Sequence, residues 1–161
     1  MRIQVVLALA VALICSMPVL AQQQSGDSQL QLQGSLRLGA PGKGQDSGSV
    51  FVSYGRFFTD RQEAGVSATG YIAGDDLAGF GGPFYRYNFS SGKRVPYVGA
   101  AAGATFGDFG AGSTVLTFEA GIRFFINRNS AFSTGAITTY SIDESEFDDG
   151  LNVVFGFSYL W

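Results

Sequence analysis

The last eleven residues, Leu151 to Trp161, constrain the fold of this chain more than any other segment. Apolar side chains occupy every second position there, and the alternating set is Leu151, Val153, Phe155, Phe157, Tyr159 and Trp161. A period of two places these side chains on one face of a β-strand. A face that ends in successive aromatic rings is typical of a strand whose outer side contacts lipid, with the last ring at the membrane interface.

The amino-terminal segment has the pattern of a secretory signal peptide. Met1-Arg2 gives a short positive start, and Val5–Ile14 is an almost unbroken apolar run. The run is shorter than the ~20 apolar residues that a membrane-spanning helix needs. Small and aliphatic residues follow and end at Ala21, where a signal peptidase would cleave. We therefore expect residues 1–21 to be removed, and with them Cys15, the only cysteine of the chain.

Residues 22–161 have the length of one domain. Loss of Arg2 makes the formal net charge of −3 one unit more negative, which gives no electrostatic support for binding nucleic acid. Helical periodicity is missing, whereas Gly and other turn residues recur at short intervals. The segment is therefore predicted to be all-β.

Eight extended segments can be counted after a polar lead-in at Gln22–Asp27. Each is close to the ~9–11 residues that a tilted strand needs to cross a bilayer. An even number of antiparallel strands lets a barrel close with no unpaired edge in lipid. The segments are Gln29–Leu38, Ser49–Phe58, Ala64–Ala73, Phe80–Phe89, Pro96–Phe106, Thr114–Ile126, Ala131–Ile142 and Leu151–Trp161.

The connections between these segments alternate in charge. Four of them are Gly-rich or acidic and contain a single basic residue, Lys43. The other three are short and carry Arg61, Lys93, Arg94 and Arg128. An eight-stranded barrel with both termini on one side has four loops on one rim and three turns on the other. We therefore expect acidic outer loops, basic periplasmic turns and both termini in the periplasm. The acidic set is Ala40–Gly48, Gly74–Gly79, Gly107–Ser113 and Asp143–Gly150, and the basic set is Thr59–Glu63, Ser90–Val95 and Asn127–Ser130.

A weak internal repeat supports a barrel built from hairpins. The segment Arg56–Gln62, Arg-Phe-Phe-Thr-Asp-Arg-Gln, resembles Arg123–Asn129, Arg-Phe-Phe-Ile-Asn-Arg-Asn. Both fall where an even-numbered strand reaches a predicted periplasmic turn, as repeated hairpins of a meander barrel would.

The chain resembles the small eight-stranded outer-membrane barrels of Gram-negative bacteria, including the transmembrane domain of outer-membrane protein A and the outer membrane protein β-barrel domain family. The carriers are the Arg56–Gln62 turn followed by Ala64–Val66, the segment Pro96–Ala100 and the alternating end Phe155–Trp161. The resemblance implies an eight-stranded antiparallel up-and-down transmembrane barrel in the outer membrane, in contact with lipid and lipopolysaccharide. It also implies that the barrel-assembly machinery recognises the terminal strand through Phe155, Phe157, Tyr159 and Trp161, with Trp where Phe is commoner.

The residue types needed for catalysis are largely missing. The chain has no histidine, which removes the usual general base of serine hydrolases and the commonest metal ligand. A mature chain without cysteine has no thiol chemistry and no thiolate metal site. We therefore expect no enzymatic activity and no cofactor.

Four charged residues are predicted to meet in the barrel lumen. Glu119 is the carboxylate nearest the middle of a predicted strand, and Arg123 lies on the same face. Arg86, between Tyr85 and Tyr87, should also face inward, and the repeat would place Arg56 like Arg123. The main interpretation is a structural ion-pair network, because buried charges must be paired. The alternative is a narrow gated conduit whose arginines favour anions.

The lipid-facing register of the second and third strands stays open from the pattern alone. The outer face is contested by two sets of residues: Val50, Val52, Tyr54 and Phe58 against Phe51 and Phe57. If Arg56 follows the repeat, it faces the lumen and Phe57 contacts lipid.

The Asp143–Gly150 loop could attract a divalent cation, because Ca²⁺ is bound by clustered carboxylates. Its spacing does not match an EF-hand loop, and such runs are more often solvated surface loops. We therefore assign no metal site to it.

Membrane insertion is the function that the sequence encodes most directly. The main hypothesis is a structural role in the envelope or a surface interaction; the alternative is a narrow pore, or transport of small solutes or hydrophobic molecules. A secreted lipocalin-like barrel would instead keep its large apolar residues inside. Here Gln31, Gln33, Glu119 and Arg123 lie opposite the apolar stripes, as in a barrel turned inside out.

Overall fold

The computed structural model describes residues 23–37, 47–73, 76–107, 112–143, 145–147 and 151–161. The expected cleavage site at Ala21 and most of the acidic connections lie outside these ranges. Within them, no helix is long and apolar enough to cross a membrane.

Eight long strands form the fold, together with one short strand in a loop. The long strands are β1 (Ser28–Arg37), β2 (Ser47–Phe57), β3 (Gln62–Ala73), β4 (Asp76–Asn88), β5 (Arg94–Gly107), β6 (Thr114–Phe125), β7 (Ser130–Ser141) and β9 (Asn152–Leu160). The short strand, β8 (Glu146–Phe147), pairs only with the end of β7.

The long strands close into an antiparallel barrel. Each strand from β1 to β7 pairs with the next one along the chain. The last strand, β9, pairs with β7 on one side and with β1 on the other, so no edge of the sheet is left open. This confirms the predicted fold class: an all-β, eight-stranded, up-and-down antiparallel barrel.

The strand positions agree with the predicted segments to within a few residues. The largest difference is β4, which begins at Asp76 instead of Phe80. The difference that matters most for function is at β3, which begins at Gln62 instead of Ala64. It moves Glu63 from a predicted turn into a strand.

The barrel has two distinct ends. Three short turns, residues 58–61, 89–93 and 126–129, join strands at one end, where the described chain also begins and ends. We call this end the turn rim. The opposite end, where the chain passes from β1 to β2, from β3 to β4, from β5 to β6 and from β7 to β9, is the loop rim.

Large apolar side chains cover the outer wall of the barrel. Leu32, Val66 and Phe155 are each more than half exposed, and the same face carries Val50, Val52, Tyr54, Val98, Phe118, Val153 and Phe157. Gln29, Gln31, Gln33, Thr117 and Ser158 are buried inside. A water-soluble barrel has the opposite distribution, so the outer wall matches an apolar solvent.

Two apolar clusters fill the ends of the interior. The turn-side cluster consists of Phe57, Val95, Phe125, Ala131 and Leu160. The loop-side cluster consists of Phe51, Phe80, Val115, Ile137 and Val154, with Tyr71 packed against it. An eight-stranded barrel is only wide enough to be filled by side chains, and here aromatic rings contribute much of that filling.

The predicted orientation of Arg56 is wrong. Arg56 is exposed on the outer wall, whereas Phe57 is fully buried in the turn-side cluster. The turns explain the error, because the Phe58 N–H donates to the Gln62 carbonyl (3.0 Å) and the Ile126 N–H donates to the Ser130 carbonyl (2.9 Å). Phe58 therefore corresponds in structure to Ile126, whereas the sequence repeat aligns Phe58 with Phe125. A shift of one residue moves every side chain of a strand to the other face.

The alternating residues of the terminal strand lie on the outer wall, as expected. Phe155, Phe157, Tyr159 and Trp161 are each about half exposed. The Trp161 ring lies 6.0 Å from the Tyr159 ring and 6.1 Å from the Tyr54 ring, centroid to centroid. These three rings form an aromatic group at the turn rim.

Candidate functional site in the barrel interior

Four charged side chains meet inside the barrel, and the strand register explains how. Glu63 on β3 lies opposite Arg86 on β4. Arg86 lies opposite Gly99 on β5, which in turn lies opposite Glu119 on β6. Because Gly99 has no side chain, the Arg86 guanidinium reaches across β5 to the Glu119 carboxylate. Arg123 lies on the same face of β6, and we call Glu63, Arg86, Glu119 and Arg123 the charged belt.

The ion pairs of the belt are centred on one carboxylate oxygen. Glu63 Oε2 accepts hydrogen bonds from Arg86 Nη1 (3.0 Å) and Arg123 Nη2 (3.5 Å). Arg86 Nε donates to Glu119 Oε1 at 2.5 Å. The Glu63 and Arg123 side chains are 1% and 0% exposed, whereas the Glu119 side chain keeps 13% of its surface. Two positive and two negative charges balance, as buried charges require.

Aromatic rings support the two guanidinium groups. The Tyr97 ring lies 5.1 Å from Arg86 Cζ and 5.5 Å from Arg123 Cζ. The Phe84 ring lies 5.0 Å from Arg86 Cζ on another side. A cation near an aromatic face is stabilised by the ring quadrupole, more strongly when water is excluded. The rings therefore hold both arginines in place between the strands.

Two glycines make room for the carboxylates of the belt. A Cβ atom at Gly55 would lie 2.6 Å from Glu63 Oε1, and one at Gly99 would lie 2.8 Å from Glu119 Oε1. Both distances are too short for real Cβ contacts. A side chain at either wall position would therefore force the neighbouring carboxylate to shift.

The described amino-terminal segment, residues 23–27, closes the turn rim over the belt; we call it the strap. Gln23 is buried, and its Oε1 accepts a hydrogen bond from Arg123 Nη1 at 3.4 Å. Gln23 Nε2 donates to the carbonyl of Asp60 (3.0 Å). Gly26, with a positive φ of 100°, donates its N–H to the Phe57 carbonyl (2.7 Å). The strap therefore connects the belt to the turns, and a side chain at Gly26 would strain it.

A cavity of about 40 Å³ borders the belt on its loop-rim side. It lies between Arg86 and Glu119 of the belt and Phe51 and Phe80 of the loop-side cluster, and Thr69 and Thr117 also line it. The hydroxyl oxygens of both threonines are buried without a protein hydrogen-bond partner. A cavity of this size has room for one or two water molecules, which would satisfy such hydroxyls.

The arrangement favours an electrostatic and structural role. The belt contains no nucleophile beside a general base, which covalent catalysis needs. In the part of the chain that the structure describes, no three acidic, histidine or cysteine side chains lie close enough to hold a metal ion. What the belt provides is a set of paired charges that spans the lumen between two apolar clusters.

Comparisons with known proteins give a fold but no sequence family. No family model matches the chain, and no curated protein matches its sequence. Among solved structures, the N-terminal β-barrel domain of Pseudomonas aeruginosa OprF matches with a TM-score of 0.67 at 18% identity, over 86% of this chain and 100% of that one. The fold is that of a small outer-membrane β-barrel.

Two further solved structures have a similar barrel fold. Neisserial surface protein A matches with a TM-score of 0.58 at 16% identity, over 83% of this chain and 95% of that one. A designed transmembrane β-barrel matches with a TM-score of 0.57 at 15% identity, over 87% of this chain and 99% of that one.

Within this barrel fold, the structure brings together three of the four residues predicted for the lumen. Arg86, Glu119 and Arg123 meet in the belt, whereas Arg56 lies on the outer wall. Glu63 was not among the predicted site residues, because the Thr59–Glu63 segment was predicted to be a turn. Gln23, in the polar lead-in, was not predicted either. The predicted lumen contained three arginines but only one carboxylate. This imbalance of buried charge was a signal that a further carboxylate faces inward.

Proposed function

We propose that this chain is an integral outer-membrane β-barrel with a structural role in the envelope and no catalytic activity. The observation that carries the structural role is the closed interior. The paired charged belt spans the lumen, and an apolar cluster fills the barrel on either side of it. Opening a continuous water path would require breaking buried ion pairs and displacing aromatic rings.

The outer wall supports membrane insertion. Its large apolar side chains surround a barrel whose backbone hydrogen bonds close on themselves. In lipid, every backbone polar group must be satisfied internally, which a closed barrel achieves. The fold shared with the barrels of OprF and Neisserial surface protein A supports an outer-membrane location.

We also propose an orientation of the barrel in the membrane and the partners that this orientation implies. The basic turns would lie in the periplasm with both termini, and the acidic loops would face outward. Phospholipid and lipopolysaccharide would surround the wall. During export, cleavage after Ala21 would release the barrel, and the assembly machinery would recognise the terminal strand. The exposed stripe Phe155, Phe157, Tyr159 and Trp161 supports this last step.

Refolding into lipid vesicles followed by planar-bilayer recording tests the proposal. The folded barrel should resist SDS until boiled, migrate faster than the boiled chain, and show no stable conductance steps. Arg61→Gln, which removes a charge from an exposed turn, serves as a matched control for the belt variants. A polypeptide that stays soluble and monodisperse without detergent would contradict membrane insertion.

A narrow pore is the second candidate function, and the cavity beside the belt favours it. The unpartnered Thr69 and Thr117 hydroxyls show that the loop-rim side of the lumen has polar groups for water. In this case the belt would be the barrier to permeation. Stable single-channel steps from the unmodified barrel, increased by Glu63→Ala but unchanged by Arg61→Gln, would favour the pore over the closed structural barrel.

A further inference from the structure

Arg56 is an unusual residue for the outer wall of this barrel. Its side chain is exposed. It lies two positions before Phe58, the first residue of the turn, which is about 7 Å along the strand. No side chain in the described ranges forms an ion pair or a hydrogen bond with it. Asp27 and Asp60 of the same rim accept hydrogen bonds from the backbone N–H groups of Gln24 (2.9 Å) and Ser25 (3.1 Å). The guanidinium therefore has no counter-ion among the side chains that the structure describes.

The residues directly beside Arg56 on the neighbouring strands are small. Ser28 on β1 and Ala64 on β3 lie directly opposite Arg56, and both side chains are small. The next strands on either side carry Trp161, whose backbone pairs with that of Ser28, and Tyr85, which lies opposite Ala64. Both rings are about half exposed. A cation thus lies on a floor of small residues between two aromatic walls.

A third ring and two hydroxyls complete this surface. Tyr54 lies on the same face as Arg56, and its ring packs 6.1 Å from the Trp161 ring, centroid to centroid. Tyr54 Oη donates to Ser28 Oγ at 3.5 Å, which places both hydroxyls beside the small residues that flank Arg56. We call Ser28, Tyr54, Arg56, Ala64, Tyr85 and Trp161 the Arg56 patch.

From this geometry we infer that the Arg56 patch binds the headgroup of one anionic glycerophospholipid in the leaflet at the turn rim. A charge on the lipid face is unfavourable unless it reaches the interface and finds a counter-ion. The planar guanidinium matches two oxygens of a phosphodiester. The aromatic walls lie at headgroup level, and the small floor leaves space for the first carbons of an acyl chain.

This inference rests on the proposed membrane insertion but makes a narrower claim. Arg61 and Arg128 are exposed in the turns, where a solvated charge attracts any anion weakly. Arg56 differs from these two residues because it lies on the wall, where the same lipid that neutralises the guanidinium also contacts the apolar rings. Selective retention of a phospholipid should therefore depend on this arginine and not on the basic charge of the rim in general.

Native mass spectrometry of the refolded barrel, titrated with phosphatidylglycerol in detergent, tests the inference. The unmodified barrel should retain one lipid, and Arg56→Gln should need about threefold more lipid for equal occupancy, the scale of an exposed charge pair. Arg56→Lys should lie between them, because it keeps a point charge but loses the two-pronged geometry. Arg61→Gln removes the same charge from the turn and should match the unmodified barrel.

Several outcomes would overturn the inference. Equal retention by Arg56→Gln and the unmodified barrel would remove the residue from the site. An equal loss in Arg61→Gln would show a general charge effect, and equal retention of diacylglycerol would show that only acyl chains are held. Preferential retention of lipid A would assign the patch to the other leaflet. Heat-modifiable migration checks folding of each variant, so failure of the unmodified barrel to insert would instead count against the proposed function.

Discussion

Two hairpins of this barrel contain the same Arg-Phe-Phe motif but place its arginine on opposite faces. In the β6–β7 hairpin, Arg123 is fully buried and pairs with Glu63. In the β2–β3 hairpin, Arg56 is exposed on the outer wall. The following phenylalanines differ in the same sense, since Phe57 is buried directly after Arg56, whereas the buried ring after Arg123 is Phe125.

Turn geometry, not motif identity, determines which face of the barrel a strand residue lies on. Both turns are closed by a hydrogen bond between residues four apart, but the motif begins one residue closer to the turn in the β2–β3 hairpin. Because successive side chains of a strand lie on opposite faces, a shift of one residue moves a side chain from the lumen to the outer wall. Arg123 therefore belongs to the charged belt, whereas Arg56 lies on the outer wall at the turn rim.

Glu63 links the two hairpins, and its replacement should have the largest effect. Glu63→Ala leaves Arg123 buried with no carboxylate partner in the belt, although Arg86 keeps Glu119. Breaking a buried ion pair in this way costs about 3–5 kcal/mol. Urea unfolding of the refolded barrel in vesicles would measure the loss. Glu63→Gln, which keeps the shape and one acceptor oxygen, should lose less, and a loss below 1 kcal/mol in Glu63→Ala would contradict the role of the belt.

The two arginines provide the most direct contrast. Arg123→Gln should lower the free energy of unfolding by about 3 kcal/mol, because it removes a fully buried charge and its hydrogen bonds to Glu63 and Gln23. Arg56→Gln should change it by less than about 0.5 kcal/mol, as is usual for exposed positions. The same urea titration measures both variants, and equal effects would mean that the two hairpins do not differ as described.

Glu119 should contribute less than Glu63, because it has one partner and is partly exposed. Glu119→Ala removes the bond to Arg86 but leaves Arg86 paired with Glu63, so we expect a loss of about 2 kcal/mol, the scale of a hydrogen bond to a charged group. A lower apparent melting temperature on heat-modifiable gels would show it. An unchanged melting temperature would remove Glu119 from the network.

The smallest expected effect among the belt variants comes from the wall glycine beside Glu63. Gly55→Ala would place a Cβ against Glu63 Oε1 and the Phe84 ring, and overpacking of this kind costs about 1–2 kcal/mol. Gly70→Ala is a matched control, because no heavy atom lies within 4 Å of its added Cβ. Equal stability of the two variants would show that the interior has more space than the structure indicates.

The sequence predicts the architecture well because alternation is strong where only one face is apolar. The terminal strand and β6 are of this kind. The alternation correctly predicts that Arg86, Glu119 and Arg123 face inward. β2 has aromatic residues on both faces, since Phe51 and Phe57 fill the lumen while Tyr54 lies outside. Alternation alone does not separate those faces. The register depends on the turn hydrogen bonds, which the sequence repeat misaligns by one residue.

The residues missed in the site have a common cause, which is long-range pairing. Glu63 follows a polar turn, and its burial depends on an arginine 23 positions further along the chain. Gln23 is buried because the strap folds back over the turns and accepts a hydrogen bond from Arg123, 100 positions away. Local pattern contains no information on such contacts, so they required the structure.

Fluorescence of Trp161, the only tryptophan of the chain, tests the inside-out arrangement most directly. We predict strong quenching by lipids brominated along their acyl chains after refolding into vesicles, with little quenching by aqueous iodide. A Trp161→Phe, Val52→Trp variant moves the reporter further from the turn rim and should be quenched more by bromine placed deeper. Fluorescence that is unaffected by brominated lipid and is quenched by iodide would contradict a lipid-facing apolar wall.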